Sequence, residues 1–353
     1  MKSIRIAACA AAILMTTAMT GEVMAKTLRF AEFGPNRGDR AAAAQWLADE
    51  IKKRSGGSLD VEFHWGGALL NTKSVLKGVS DGVADMGSIV GFLTPKELRA
   101  YNLADLPVKN SDEWVGMRAI YKLSTENPAF KKEFDKAGVV YITNYTTGPI
   151  QLICKQPFKS IADIKGLKVR GSGPYGKAMS DLGAAVQGMG QPKVFEALDS
   201  GLIECNQNYY YAIKAYKQYE VAPYVTELNW GQNMSFGVVM NKATFDGLTA
   251  AEKKAVTEAG SAFIDHFAKV MIEGKEKDKA AMIAGIGGKT IKMVDFPAAD
   301  RAKIIGAGEK YVDQWVADVT KGGLDGKGIL AAYDANVAEF AKVKESKGYP
   351  WKK

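Results

Sequence analysis

One helix-to-strand segment occurs twice in this chain. Val75-Leu-Lys-Gly-Val-Ser-Asp-Gly-Val-Ala-Asp85 lines up with Val194-Phe-Glu-Ala-Leu-Asp-Ser-Gly-Leu-Ile-Glu204. Each copy reads as a helix, a glycine (Gly82, Gly201) and a strand ending in an acidic residue. Glycine just past a helix tolerates the left-handed backbone that ends it. The surroundings repeat too. Around the first copy, apolar patterning predicts strands at 27–33, 59–64 and 83–90, with helices at 39–54 and 71–80. Around the second it predicts strands at 167–170, 185–189 and 202–207, with helices at 175–182 and 191–200. A β-α-β-α-β order is the half-unit of a parallel α/β domain. The chain is therefore expected to build two similar α/β lobes.

The last third is helical. Thr249-Ala-Ala-Glu252 is a capping box, with the threonine side chain and the glutamate each satisfying a free N–H of the first turn. The pattern it opens continues to about Ala284. At 1.5 Å per residue such a helix is about 50 Å long, more than one small lobe, so it should bridge both. Gly260 and Gly274 are places where it has freedom to bend. A strand at 290–294 and helices at 298–320 and 329–344 follow, the last two flanking a glycine-rich stretch at 321–328.

Composition excludes several classes of function. A chain of 353 residues, 47% apolar and 24% charged, is ordinary globular material rather than disorder, collagen or coiled coil. Two histidines, His64 and His266, are too few for a multi-histidine metal site. Three cysteines without a CxxC pair exclude a zinc ribbon and a thioredoxin-type redox pair. No metal or cofactor is expected. The net charge of +8 is spread along the chain, with part of it in the tail at 342–353. Nucleic acid would need a basic stripe interleaved with exposed aromatics, so no such partner is expected.

Residues 1–25 read as an export signal. Lys2 and Arg5 precede an apolar run at 6–19, and Val23-Met24-Ala25 fits a small-residue cleavage site after Ala25. The run is shorter than the ~20 residues of a membrane span. The mature protein is thus expected in the periplasm. Cys9 sits in Ile6-Ala-Ala-Cys9, ahead of any adequate apolar run, so it is not read as a lipidation site. Cys154 and Cys205 remain. An oxidising compartment permits a disulfide, and their apolar, strand-like settings suit two buried free thiols equally well.

Most motifs with chemical meaning fail on context. Gly171-Ser-Gly-Pro-Tyr-Gly176 is a GxGxxG, but Pro174 interrupts it and a short helix follows. Gly287-Gly-Lys-Thr290 imitates a phosphate loop with Ile283 in the place of its first glycine. There is no GxSxG, and two isolated histidines offer no triad. Arg170 is different. It ends the strand 167–170 and so points toward the crevice where open α/β sheets bind ligands. Its planar fork of donors suits a carboxylate, although an ion pair with an acidic neighbour would also account for it. Asn208, after the corresponding last strand, can reach the same crevice or cap a turn. Tyr209, Tyr210, Tyr211, Trp230 and Trp65 lie close by in this scheme. Three consecutive tyrosines cannot all point into a core, so at least one should meet solvent or ligand.

In order along the chain, a set of segments resembles the DctP-type solute-binding proteins of tripartite ATP-independent periplasmic (TRAP) transporters. The segments are Gly66-Gly-Ala-Leu-Leu70, Gly82-Val-Ala-Asp-Met-Gly87, Asp105-Leu-Pro107, Ile164-Lys-Gly-Leu-Lys-Val-Arg170, Leu182-Gly-Ala184 and Ala197-Leu-Asp-Ser-Gly201, then Tyr219-Glu-Val-Ala222, Tyr224-Val-Thr226, Met240-Asn241 and Leu248-Thr-Ala-Ala-Glu252. The resemblance implies a two-lobed α/β periplasmic-binding-protein-like fold. Residues 26–147 with about 236–275 would form lobe I, and 148–235 with about 276–353 lobe II, with the cleft crossed twice by strands and spanned by the long helix.

The same resemblance implies a carboxylate-binding Arg170 with Asn208 as its partner, no catalysis, and delivery of an organic acid to a cation-driven membrane permease; separately, a monomer is expected. Many relatives carry a second arginine where this chain has Ile150, and Glu204-Cys-Asn-Gln-Asn208 and Tyr209 also depart from the common pattern. These departures favour a monocarboxylate with an apolar or aromatic body, or a cationic group held by Tyr209 and Trp230. Gln207 is expected beside the anchor, and Glu32, Phe33, Trp65 and Ser88 are expected from lobe I. A periplasmic enzyme acting on a small carboxylate and an ABC-type binding protein are the alternatives.

Overall fold

The computed structural model describes residues 25–108 and 110–352. The export signal, apart from Ala25, lies outside the described residues. The first stretch runs β1 (Lys26–Ala31), α1 (Gly38–Arg54), β2 (Leu59–His64), α2 (Val75–Ser80), β3 (Met86–Ser88), α3 (Glu113–Glu126), α4 (Pro128–Lys136) and β4 (Val139–Tyr145). The second runs β5 (Ile150–Cys154), β6 (Lys168–Arg170), α5 (Gly173–Asp181), β7 (Ala185–Gln187), α6 (Val194–Asp199), β8 (Cys205–Asn208), α7 (Tyr210–Ala215) and β9 (Tyr224–Trp230). β10 (Phe236–Asn241), α8 (Lys242–Asp246), α9 (Ala250–Ala284), β11 (Lys292–Val294), α10 (Ala298–Gly306), α11 (Glu309–Lys321) and α12 (Gly326–Lys347) complete the chain. Among the described residues no helix is long and apolar enough to cross a membrane.

The two sheets share one plan. Lobe I has the order β2-β1-β3-β10-β4, and lobe II has β7-β6-β8-β5-β9 with β11 added at the edge. In each, the first three strands are parallel and the next strand, which arrives from the other lobe, runs antiparallel. The repeated segments explain this. Gly82 and Gly201 have φ of 79° and 75°, the left-handed values that end α2 and α6. Asp85 and Glu204 then come just before their strands rather than ending them. Each accepts the backbone N–H of the neighbouring strand, Arg29 at 2.9 Å and Lys168 at 3.0 Å. The expected helix at 71–80 starts only at Val75, because Asn71 takes the Lys73 N–H into a turn (3.0 Å).

Two strand crossings join the lobes, β4 to β5 and β9 to β10. The crossings bond to each other. The Thr147 N–H donates to the Asn233 carbonyl at 2.9 Å, and the Asn233 N–H donates to the Thr147 hydroxyl at 3.0 Å. α9 is a third link. Its 35 residues span about 50 Å. Phe263 and Phe267 pack with Leu28 and Phe30 in lobe I. Met282, near its other end, packs with Ile153 and Val225 in lobe II. A Cβ at Gly260 would collide with the Ile142 carbonyl, so this glycine serves close approach to β4 rather than a bend.

The end of the chain differs from expectation. Ile304 of α10 lies in the lobe II core with Phe158 and Phe296. The helix expected at 298–320 breaks at Ala307 and Gly308, where a Cβ would sit 2.7 Å from Pro107 of lobe I. Beyond this elbow Trp315, Ile329 and Tyr333 join the lobe I core with Leu123. The assignment of all of 276–353 to lobe II is therefore corrected: α11 and α12 return to lobe I, where the apolar face of α3 would otherwise lie bare.

The two mature cysteines are disulfide-bonded, directly opposite on β5 and β8. The equivalent pair in lobe I, on β3 and β10, is Met86 and Met240.

Candidate functional site

A cleft of about 1030 Å³ opens between the lobes, where β1 and β6 end. From lobe II, Arg170 is the last residue of β6 and is 9% exposed. Its Nε donates to the Met189 carbonyl (3.0 Å) and its Nη1 to the Gln207 carbonyl (3.5 Å). No carboxylate among the described residues pairs with it. Burial pushes its pKa down, with Tyr209 and Tyr216 opposing. A desolvated guanidinium of this kind favours any anion that reaches it. The glycine motif beside it is structural. A Cβ on Gly171 would lie 2.8 Å from the Gly176 Cα, so these glycines let α5 close onto β6 and bring its first turn to the cleft.

Gln207, Tyr209 and Tyr211 line the same wall. Gln207 donates to the Tyr175 carbonyl at 3.1 Å. The Tyr209 and Tyr211 rings lie 4.7 Å apart. Tyr210 turns into the core and donates its hydroxyl to Glu227 at 2.7 Å, so two of the three tyrosines meet the cleft.

Lobe I contributes Glu32, Phe33 and Trp65, all expected, and Arg40, which was not. Glu32 is 1% exposed. It accepts from the Ser88 hydroxyl (2.6 Å), the Gly34 N–H (2.6 Å) and the Arg40 guanidinium. Arg40 lies over the Phe33 ring at 4.4 Å, with Tyr145 at 5.1 Å and Phe236 at 5.7 Å. Burial acts most strongly against its charge, but Glu32, Tyr145 and Tyr211 together outweigh it and its pKa is raised. One sequence signal pointed to it. Arg40 sits in the first turn of α1, where the helix dipole disfavours a cation, so another interaction must hold it there. Across the mouth, Arg37 of lobe I stacks over Tyr216 of lobe II at 5.6 Å.

Three expected residues do not line the cleft. Ser88 is wholly buried and spent on Glu32. Asn208 lies beneath the wall, donating to Gln218 (2.7 Å) and accepting from Gln191 (3.2 Å). The strand alternates its faces, so Asn206 and Asn208 both reach Gln218 while Gln207 faces the cleft. Trp230 is in the lobe II core, edge-to-face on Tyr175 at 5.0 Å, and does not hold a ligand cation with Tyr209. Ile150 lines the cleft and makes that part of its wall apolar.

The family model described as DctP, bacterial extracellular solute-binding protein, family 7, matches residues 30–318. Among curated relatives, the C4-dicarboxylate-binding periplasmic protein DctP of Rhodobacter capsulatus is 26% identical over 253 residues, covering 70% of this chain and 73% of that one. The 2,3-diketo-L-gulonate-binding periplasmic protein YiaO of Escherichia coli is 24% identical over 86% of this chain and 91% of its own. Among solved structures, a TRAP solute-binding protein of Rhodoferax ferrireducens in complex with copurified benzoate superposes with a TM-score of 0.78 at 23% identity, covering 90% of this chain and 99% of that one. DctP7 of Bordetella pertussis, a receptor binding pyroglutamic acid, gives 0.76 at 20% identity over 88% and 100%. Because the match runs through both lobes, from β1 into α11, the chain belongs to the DctP family of bacterial extracellular solute-binding proteins.

Proposed function

We propose that this protein is the exported solute receptor of a TRAP transporter, acting as a monomer. It binds a small monocarboxylate with an apolar or aromatic body and delivers it to a cation-driven membrane permease. The observation that carries this reading is Arg170, a buried guanidinium facing the cleft with no acidic partner among the described residues. An enclosed cation left unmatched is costly unless an anion arrives. Phe33, Trp65, Phe92, Tyr209, Tyr211 and Phe236 surround the remaining space, which favours an apolar body. Benzoate and pyroglutamate, bound by the structural neighbours, are acids of this size.

Arg170 anchors the carboxylate, Gln207 and Tyr209 stand beside it, and Phe33 and Trp65 cover the body. A ligand touching both walls stabilises the closed arrangement through that differential contact. The test is calorimetry and thermal shift with benzoate, phenylacetate, pyroglutamate and succinate, since a bound ligand raises stability as RT ln(1 + [L]/Kd). Charge-assisted hydrogen bonds contribute about 1.5–3 kcal/mol each, so Arg170→Ala is expected to weaken binding at least tenfold. Unchanged affinity would remove Arg170 from the site.

A further inference from the structure

We propose that Glu32 is a specificity-determining residue: by neutralising Arg40 it leaves the lobe I wall without free charge, and so limits the ligand to one carboxylate. This inference rests on the receptor reading above. Glu32 is locked toward Arg40 and cannot turn into the cleft. Its Oε1 takes Arg40 and the Gly34 N–H, and its Oε2 takes the Ser88 hydroxyl. Gly34 is required for this, because a Cβ there would lie 2.9 Å from Glu32 Oε1. Arg40 is equally fixed, its guanidinium carbon over the Phe33 ring at 4.4 Å and close to Tyr145 and Phe236.

The cleft thus holds two enclosed guanidiniums of opposite status. Arg170 is unmatched, while Arg40 is already half of an ion pair. A carboxylate entering the cleft sheds water at a cost of several kcal/mol, and an unmatched cation offsets the largest part of that cost. The first carboxylate finds Arg170. A second, on the lobe I side, would find a neutral pair with Glu32 behind it. The other cations lining the cleft, Arg37, Lys73 and Lys193, are exposed at its rim, where water and salt screen them. They draw anions in without compensating a desolvated one.

The experiment compares matched ligands differing by one carboxylate, benzoate with terephthalate and butyrate with glutarate, by calorimetry on the mature protein. Wild type should bind the monocarboxylate of a pair at least about tenfold more tightly. Glu32→Gln preserves the shape and frees the Arg40 charge, so the ratio of dicarboxylate to monocarboxylate affinity should rise at least about tenfold. Glu32→Gln combined with Arg40→Met removes both charges and should restore the wild-type ratio to within about threefold. A wild type preferring the dicarboxylate, or a ratio unmoved by Glu32→Gln, overturns the proposal. If Arg170→Ala abolishes monocarboxylate binding while the Glu32→Gln ratio stays put, only the charge filter falls. If wild type binds no member of either pair, the monocarboxylate reading falls with it.

Discussion

In lobe I a guanidinium meets the cleft with its charge already matched; in lobe II one meets it bare. The two lobes share strand order, pairing sense and the glycine-acid turn that starts β3 and β8. Yet the position equivalent to Arg170 is Ala31, each paired with the second residue of the next strand, Asn206 and Gly87. Lobe I brings its cation from α1 instead, together with a carboxylate to silence it. A repeated backbone therefore need not repeat its electrostatics. The turn geometry is dictated locally, whereas charge at a strand end has to suit the ligand.

The sharpest way to break this comparison is to remove each arginine from the free protein. Arg40→Met strands the buried Glu32 carboxylate and is expected to cost about 3–5 kcal/mol in urea unfolding. Arg170→Met strands no charge, only the Met189 and Gln207 carbonyls that accept from it, so the free protein should lose well under what Arg40→Met costs. Equal losses would mean that the two guanidiniums are paired alike. The covalent difference between the lobes comes next. Replacing Cys154 and Cys205 by serine should cost about 2–4 kcal/mol, as should reductant on the wild type. Met86→Leu at the equivalent lobe I position should cost under about 1.5 kcal/mol. The smallest effect tests what the lobes have in common. Gly82→Ala and Gly201→Ala each force a side chain into left-handed backbone, at about 1–2 kcal/mol apiece. Markedly unequal losses would show that the two turns are not structural equivalents.

Elements with a local cause were legible in advance. The long bridging helix announced itself through the Thr249/Glu252 capping box, which forms as expected. Both glycine turns were readable from the aligned segments. Arg170 could be placed at the cleft from its strand end alone. What failed depended on which way a side chain faces once strands pair. Asn208 was placed by its strand end and by the resemblance, and Trp230 by its grouping with the tyrosines, but alternation along β8 turns Asn208 beneath the wall, and Trp230 fills the core against Tyr175. The disulfide was one of two open readings, decided only when β5 and β8 came into register. Arg40 was missed because its partner, Glu32, is eight residues away, across the turn from β1 into α1.

By itself the sequence determined two like α/β lobes, a helix long enough to join them and an arginine at the mouth of the second. These follow from patterns within a few residues of one another, where backbone preference and hydrophobic period act directly. Only the tertiary structure decided which arginine is neutralised, which cysteines are bonded and which lobe receives α12. Those outcomes depend on groups from different elements meeting at a few ångströms, where desolvation and Coulomb attraction first become strong.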